Sequence, residues 1–419
     1  MNKKLSGFAK RWGDRLRLRR TLRQATPLHF VFAERIDYLN PAHWDALLAG
    51  RHLLMSRDYL RAMEAAGTEG MEHRYAMAYE GTRPLAAVAV QLLDVGLDRF
   101  HATRASKGLP KEGSLIAAIN ENVEPRLQQK LMVCGNMLSY GLDGVASDPE
   151  LDPFTRWHAV AEMLYRLRRA EKLNGQIDFI MIKDLDEAAH ADSGMLRQLS
   201  YRAMSTEPNM VLELDPAWKT HADYLASMAS KYRSSVKQQI FKPMEEAGCQ
   251  LADLTLVEVA ALAGRMQDQY LAVQDNASLR PVTVGGRYWA SMAALGPDRV
   301  RIRAVRKQGE LLGFLLLLLD GETVTAAQIG FDRQAAKDLP LYLRLLHASV
   351  EVALDAGARR VVYGRTALEP KARMGCKPVV TRLWMRHRQP VLNAVIKHGF
   401  GLVKAPDAPA ISPFKKTTA

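Results

Sequence analysis

The sequence predicts a mixed α/β protein made of two tandem domains, each a mixed sheet with helices packed on it. Three observations predict this. The chain has 419 residues, beyond the roughly 250–300 at which a single core stops growing. Its apolar fraction of 48% suits packed cores and excludes a disordered chain. One order of elements can also be read twice: hairpin strands, then a helix, then a further strand.

In the first half, Tyr75 to Tyr79 reads as a strand, Glu80-Gly81-Thr82-Arg83 as a turn and Leu85 to Leu93 as its return. Asp152 before Pro153 is a helix start, a capping carboxylate followed by proline at the first helical position. Trp157, Val160, Ala161, Leu164 and Leu167 then form one apolar stripe at helical spacing. A strand follows from Ile177 to Ile182, ending in the polar pair Lys183-Asp184.

The second half repeats the order. Val300 to Val305 and Leu311 to Leu319 are strands, and Asp320-Gly321 opens a hairpin that returns through Val324 to Ile329. Pro340 begins a helix with Leu343, Leu346, Val350 and Leu354 on one face, Gly357 stops it, and Val361 to Tyr363 forms a strand. Hairpins feeding a helix and a further strand imply a mixed sheet.

These signals divide the chain into a basic arm over 1–45, a first domain over 50–204, a second over 205–398 with a helical lead-in, and a frayed tail over 399–419. The first half carries an extra segment, roughly 95–150, rich in Gly, Asn and charge.

The longest apolar run, Leu311 to Leu319, is a core strand, since a membrane span needs about 20 residues. Three scattered cysteines, Cys134, Cys249 and Cys376, exclude a disulfide framework and fit a reducing, cytoplasmic setting. Without CxxC or HExxH spacing, no metal site is expected. Residues 1–26 hold nine Lys or Arg against Asp14, more than half of the net charge of +13. With Leu5, Phe8, Trp12, Leu16 and Leu18 between them, the arm suits peripheral contact with an anionic membrane or RNA, or is a solubilising tail.

The densest polar cluster follows the last core strand: Tyr363-Gly364-Arg365-Thr366, then Glu369, Lys371 and Arg373. Loops at strand ends are held by a rigid sheet and often carry function. Arg365 offers a planar fork for carboxylate or phosphate, and Lys371 a point charge. The alternative is a set of solvated loop charges. Asn136 and Tyr140, with Ser139, form a second polar-aromatic loop, either lining an acceptor pocket or ordinary loop chemistry. Lys231, Arg233 and Lys237 form a basic helix face, either gripping phosphates or merely solvated. Cys134 reads as an inert buried thiol, and His347 as a helix residue.

At this point the stretch Leu339 to Arg386 resembles the FemAB-like, peptidoglycan-peptide branch of the GNAT N-acyltransferase superfamily. The matching elements are Leu341-Tyr342-Leu343-Arg344-Leu345-Leu346, then Ala356-Gly357-Ala358-Arg359-Arg360, Tyr363-Gly364-Arg365-Thr366, Lys371, and Gly375 before Pro378. The likeness runs over about 205–390, with a more divergent copy over about 50–200. It implies transfer of an acyl or aminoacyl group, from acyl-coenzyme A as co-substrate or from aminoacyl-tRNA, to an amine on a small molecule or peptide. It implies no permanently bound cofactor.

On that reading Tyr363 and Tyr342 serve the leaving group. Asp332 and Glu369 are the acids near the cleft, each open to a salt bridge with Arg333 or Arg365 instead. The superfamily's glycine-rich coenzyme A loop should fall at Phe331 to Leu339, which contains no glycine. Two other readings stay open: a non-catalytic protein that binds an acylated metabolite or nucleic acid, and a structural partner in cell-envelope assembly.

Overall fold

The structure, a computed structural model, describes residues 26–48, 53–95, 129–275, 282–399, 409 and 411–415. Most of the extra segment expected over 95–150, and the arm up to residue 25, lie outside the described residues.

The first half runs β1 (His29–Ala33), α1 (Pro41–Leu48), α2 (Arg57–Ala66), β2 (Met71–Glu80), β3 (Arg83–Val95), β4 (Gln129–Cys134), β5 (Val145–Ser147), α3 (Pro153–Ala170), β6 (Ile177–Leu185), α4 (Glu187–Asp192) and β7 (Arg202–Ser205). Then come β8 (Asn209–Glu213), α5 (His221–Ser227) and one long helix, α6, over Ser230–Val236, Lys237–Phe241 in π geometry and Lys242–Glu246.

The second half continues with β9 (Gln250–Asp253), α7 (Leu256–Gln274), α8 (Arg287–Ala293), β10 (Val300–Lys307), β11 (Glu310–Asp320), β12 (Thr323–Phe331), α9 (Leu341–Asp355), β13 (Arg360–Val362), α10 (Leu368–Arg373), β14 (Lys377–Val379), β15 (Arg382–His387) and α11 (Pro390–Gly399).

The two sheets have the same plan. One runs β1-β2-β3-β4-β6-β15-β7 with β5 beside β3, and the other β9-β10-β11-β12-β13-β8-β14. In each, three antiparallel steps lead to one parallel step, β4 with β6 and β12 with β13. Those parallel steps are joined by α3 and α9. The expected duplication therefore holds strand for strand.

Helix starts follow the sequence signals. The Asp152 carboxylate accepts from Thr155 N–H at 3.0 Å with Pro153 next to it, a cap worth about 1 kcal/mol.

Side-chain alternation sorts the core into layers. Tyr75 and Met77 of β2 face a central layer that also holds α1, α2, α7 and α8, while Ala76 and Ala78 face α3. On β11, Phe314, Leu316 and Leu318 enter that same central layer, and Leu315 and Leu317 pack under α9. Burial on both faces explains why Leu311 to Leu319 reads as an unbroken apolar run.

The chain departs from the sequence boundaries in three ways. β15 lies within 205–398 yet pairs with β6 and β7 of the first sheet, while β8 pairs with β13 and β14 of the second. The first sheet thus receives one strand, β15, from beyond its own run of chain, whereas β8 lies within the run that builds the second. The two crossings meet where Thr206 N–H donates to Thr381 O at 3.1 Å and their hydroxyls lie 2.8 Å apart. The six residues Arg382–His387 do not by their composition show which sheet receives them. Within the span read as an arm, His29–Ala33 is a strand of the first sheet. Within the expected frayed tail, Phe414 packs on Trp218 and Tyr224, and Lys415 N–H donates to Ser227 O.

Candidate functional site

The second sheet opens a wedge beside its parallel step. β12 and β13 pair only from Thr323 to Thr325 against Arg360 to Val362. A register break on β12, with Leu316 opposite Gln328 and Leu317 opposite Ala326, bends the strand just past that point. β12 runs on to Phe331, while on the other side Tyr363 N–H donates to Met210 O and Gly364 O accepts from Met210 N–H, keeping that wall on β8.

Tyr342, in the first turn of α9, stands at the mouth with its ring 6.3 Å from that of Phe331. Burial raises its hydroxyl pKa, and its surroundings include Cys376 and Tyr140. Tyr140 belongs to the first half. It sits at the tip of a loop whose neck closes between Gly135 and Gly144, where a β-carbon on Gly144 would lie 2.1 Å from Gly135 N. The tyrosine reaches Gly364, whose φ is +76° and whose absent β-carbon would fall 2.4 Å from the Tyr140 ring. Only glycine suits both the left-handed backbone and that contact.

Beneath the wedge a chain of charges joins the halves. Arg365 pairs with Asp184, lies 5.5 Å above the Tyr140 ring, and reaches Thr381 Oγ1 at 3.4 Å. Lys183 pairs with Asp184 and donates to Ser139 O at 2.7 Å. Ser139 Oγ donates to Asp143 Oδ2 at 2.5 Å. Burial pushes the Asp184 carboxyl up, but Lys183 and Arg365 outweigh it and hold it below the ordinary range. For Asp143 burial wins over Lys183 and Ser139, and its carboxyl is raised.

The structure brings together Tyr342, Tyr140 and Arg365 of the residues expected from sequence, and corrects several others. Tyr363 is buried, its hydroxyl 2.7 Å from Ser349 Oγ under α9, so it packs away from the wedge mouth. Lys371 does not present its charge to solvent: it is 2% exposed and its ammonium donates to Tyr363 O at 2.6 Å and to Thr366 O. The loop curls around it through left-handed Gly364 and Ala367. Thr366 itself is exposed.

Glu369 faces solvent on α10 and pairs with Arg373 at 2.8 Å. Asp332 accepts from Ala335 and Gln334 N–H and pairs with Arg265 at 2.6 Å; those bonds, led by Ala335, hold its carboxyl below the ordinary range and unsuited to act as a base. Arg333 is exposed beside it. The Asn136 side chain is spent on Tyr59, Gln91 and Leu138 N–H, which shape the loop carrying Tyr140. Lys231 and Lys237 are exposed on α6, and Arg233 reaches Ala226 O and Met228 O.

Sequence reasoning missed Asp143, Lys183, Asp184 and Thr381. The one available signal was the polar Lys183-Asp184 pair closing a core strand.

Burial lowers the Lys371 pKa from 10.5 to about 8. Between those values the unfolded chain holds a proton that the folded protein has released, so stability rises with pH across that window. Urea unfolding should show wild type gaining about 3 kcal/mol relative to Lys371→Met over the interval. An unchanged difference would mean that the ammonium is solvated.

The loop before α9 uses its own amides. Asp332 Oδ1 accepts from Gln334 and Ala335 N–H; Ala336 donates to Asp332 O, Lys337 to Gln334 O, and Asp338 and Leu339 to Ala335 O. Leu341 donates to Leu339 O, and Pro340 has no N–H to offer. The loop is a 3-10 turn closed on itself, where a diphosphate cradle needs free amides pointing outward.

Residues 230–371 match a family model described as an acetyltransferase (GNAT) domain. No curated protein matches the chain. Among solved structures, FemX is 11% identical, with 86% of this chain and 98% of that one covered, at a TM-score of 0.54. A tandem GNAT protein from the clavulanic acid biosynthesis pathway is 14% identical, with 87% and 99% covered, at a TM-score of 0.48. The FemX likeness, the family match and the repeated strand order agree: the chain has the GNAT-superfamily fold, built twice.

Proposed function

We propose that the chain is an N-acyltransferase that takes an aminoacyl group from aminoacyl-tRNA and passes it to an amine on a small molecule or peptide. The observation that carries the choice of donor is the loop from Asp332 to Leu341. Its amides from Gln334 to Leu341 are taken up within its own turn, which disfavours the diphosphate of acyl-coenzyme A. An aminoacyl ester at an RNA end brings no diphosphate to that place.

In this reading the ester carbonyl enters the wedge beside the β12 edge beyond Thr325, where backbone donors stabilise the developing oxyanion. The amine nitrogen bonds to the carbonyl carbon and the ester C–O bond breaks. Tyr342, its pKa raised and its proton therefore retained at neutral pH, gives that proton to the leaving ribose oxygen and regains one from the product nitrogen. The amine loses its first proton to solvent before it attacks, since Asp332 and Glu369 are held by Arg265 and Arg373.

Native mass spectrometry of gently purified protein tests the donor. Bound aminoacylated RNA, lost steeply between about 50 and 200 mM salt, is the expected result. Retained coenzyme A without RNA would reverse the choice of donor.

A further inference from the structure

Asp184, under the wedge, and Asp178, at the other end of β6, are six positions apart, about 20 Å along the strand. That far end carries unbalanced positive charge. Arg388 donates to Asp178 Oδ1 at 2.6 Å, and Lys130 N–H donates to Asp178 Oδ2 at 3.1 Å. Glu72 and Glu171 are engaged by Arg74 and Lys130. Among the described residues, no carboxylate pairs with Arg168, Arg169, Lys172 or Arg386.

Arg168 and Arg169 lie over the Tyr165 ring, each 5.8 Å away, and Arg386 lies over Tyr201 at the same distance. Burial first, then the charge of Arg386 and more weakly Arg388, depresses the Arg168 pKa. Like charges held together without a counter-ion cost free energy that an anion would recover.

The same end exposes aliphatic side chains. Leu173 is 95% exposed, Val391 75% and Leu392 44%. Leu173 precedes Asn174, whose carbonyl accepts from Lys130 Nζ at 3.4 Å, and Val391 and Leu392 follow Arg388 in the chain.

We infer that this end of the first half, with Arg168, Arg169 and Arg386 around Leu173, Val391 and Leu392, docks on an anionic membrane surface. Guanidinium groups meet lipid phosphates while the aliphatic side chains enter the interface. An RNA backbone would use the arginines but gain nothing from three aliphatic side chains. No helix among the described residues is long and apolar enough to cross a membrane, so the contact is peripheral. This surface is independent of the proposed reaction.

The test is co-sedimentation of the full chain with vesicles of equal parts phosphatidylglycerol and phosphatidylcholine. The basic arm is present in every variant, so its own contribution cancels. Arg168→Gln with Arg386→Gln should weaken partitioning about thirtyfold, at roughly 1 kcal/mol per basic side chain. Leu173→Ser with Val391→Ser alters side chains that pack little, cannot act by unfolding, and should weaken it about tenfold. Wild-type partitioning in the serine pair would overturn the proposal. So would an arginine pair that loses tRNA binding while still sedimenting with vesicles.

Discussion

Asp184→Ala should destabilise the protein by roughly 3–5 kcal/mol, the loss expected when one partner of a buried ion pair is removed and its counter-charges stay behind. The Asp184 side chain is 1% exposed, that of Lys183 6% and that of Arg365 22%. Deleting the carboxylate leaves an ammonium and a guanidinium facing each other close to where the chain crosses between the two sheets. The pH dependence has a definite sign. The folded carboxyl lies below the ordinary 3.8, so its contribution is present above that value and is lost as pH falls through the lower folded pKa. Chemical unfolding should therefore show a constant gap between wild type and variant from about pH 5 to 9 that closes below about pH 4. A gap under about 1 kcal/mol would place the cluster among solvated pairs.

Tyr342→Phe should slow transfer about a hundredfold or more, the range expected for loss of a proton donor to the leaving group. Single-turnover transfer from aminoacyl-tRNA reads this directly. Tyr363→Phe is the control: its hydroxyl bonds to Ser349 in the core, so the rate stays and about 1 kcal/mol of stability goes. If Tyr363→Phe slows the reaction and Tyr342→Phe does not, the two tyrosines have been assigned the wrong way round.

Much of the fold was legible because its signals are local. Asp152-Pro153 announces α3, Asp320-Gly321 announces the β11–β12 hairpin, and Gly357, with φ +67°, stops α9. The site was legible only in part, for reasons of distance along the chain. Arg365 lies in the strand-end loop that suggested chemistry, and Tyr342 in the helix opening that carries the resemblance, but Asp184 is 181 residues from the arginine it pairs with. Asp332 reads as an available acid until Arg265, 67 residues away, is seen to hold it. Lys371 looked like a surface charge because spacing does not show that Gly364 and Ala367 turn the loop inward. The return of β15 to the first sheet was hidden for a related reason, since a strand's composition does not name its partner.

The central claim is that the wedge between β12 and β13 receives an aminoacyl ester carried by RNA. The most direct measurement is a crystal structure with a short RNA end bearing a non-hydrolysable aminoacyl amide. The account predicts the amide carbonyl beside the β12 edge, with Tyr342 Oη within hydrogen-bond reach of the ribose atom that replaces the leaving oxygen. An RNA end bound elsewhere, or a coenzyme A diphosphate seated on opened amides of the Asp332 to Leu341 loop, would contradict it.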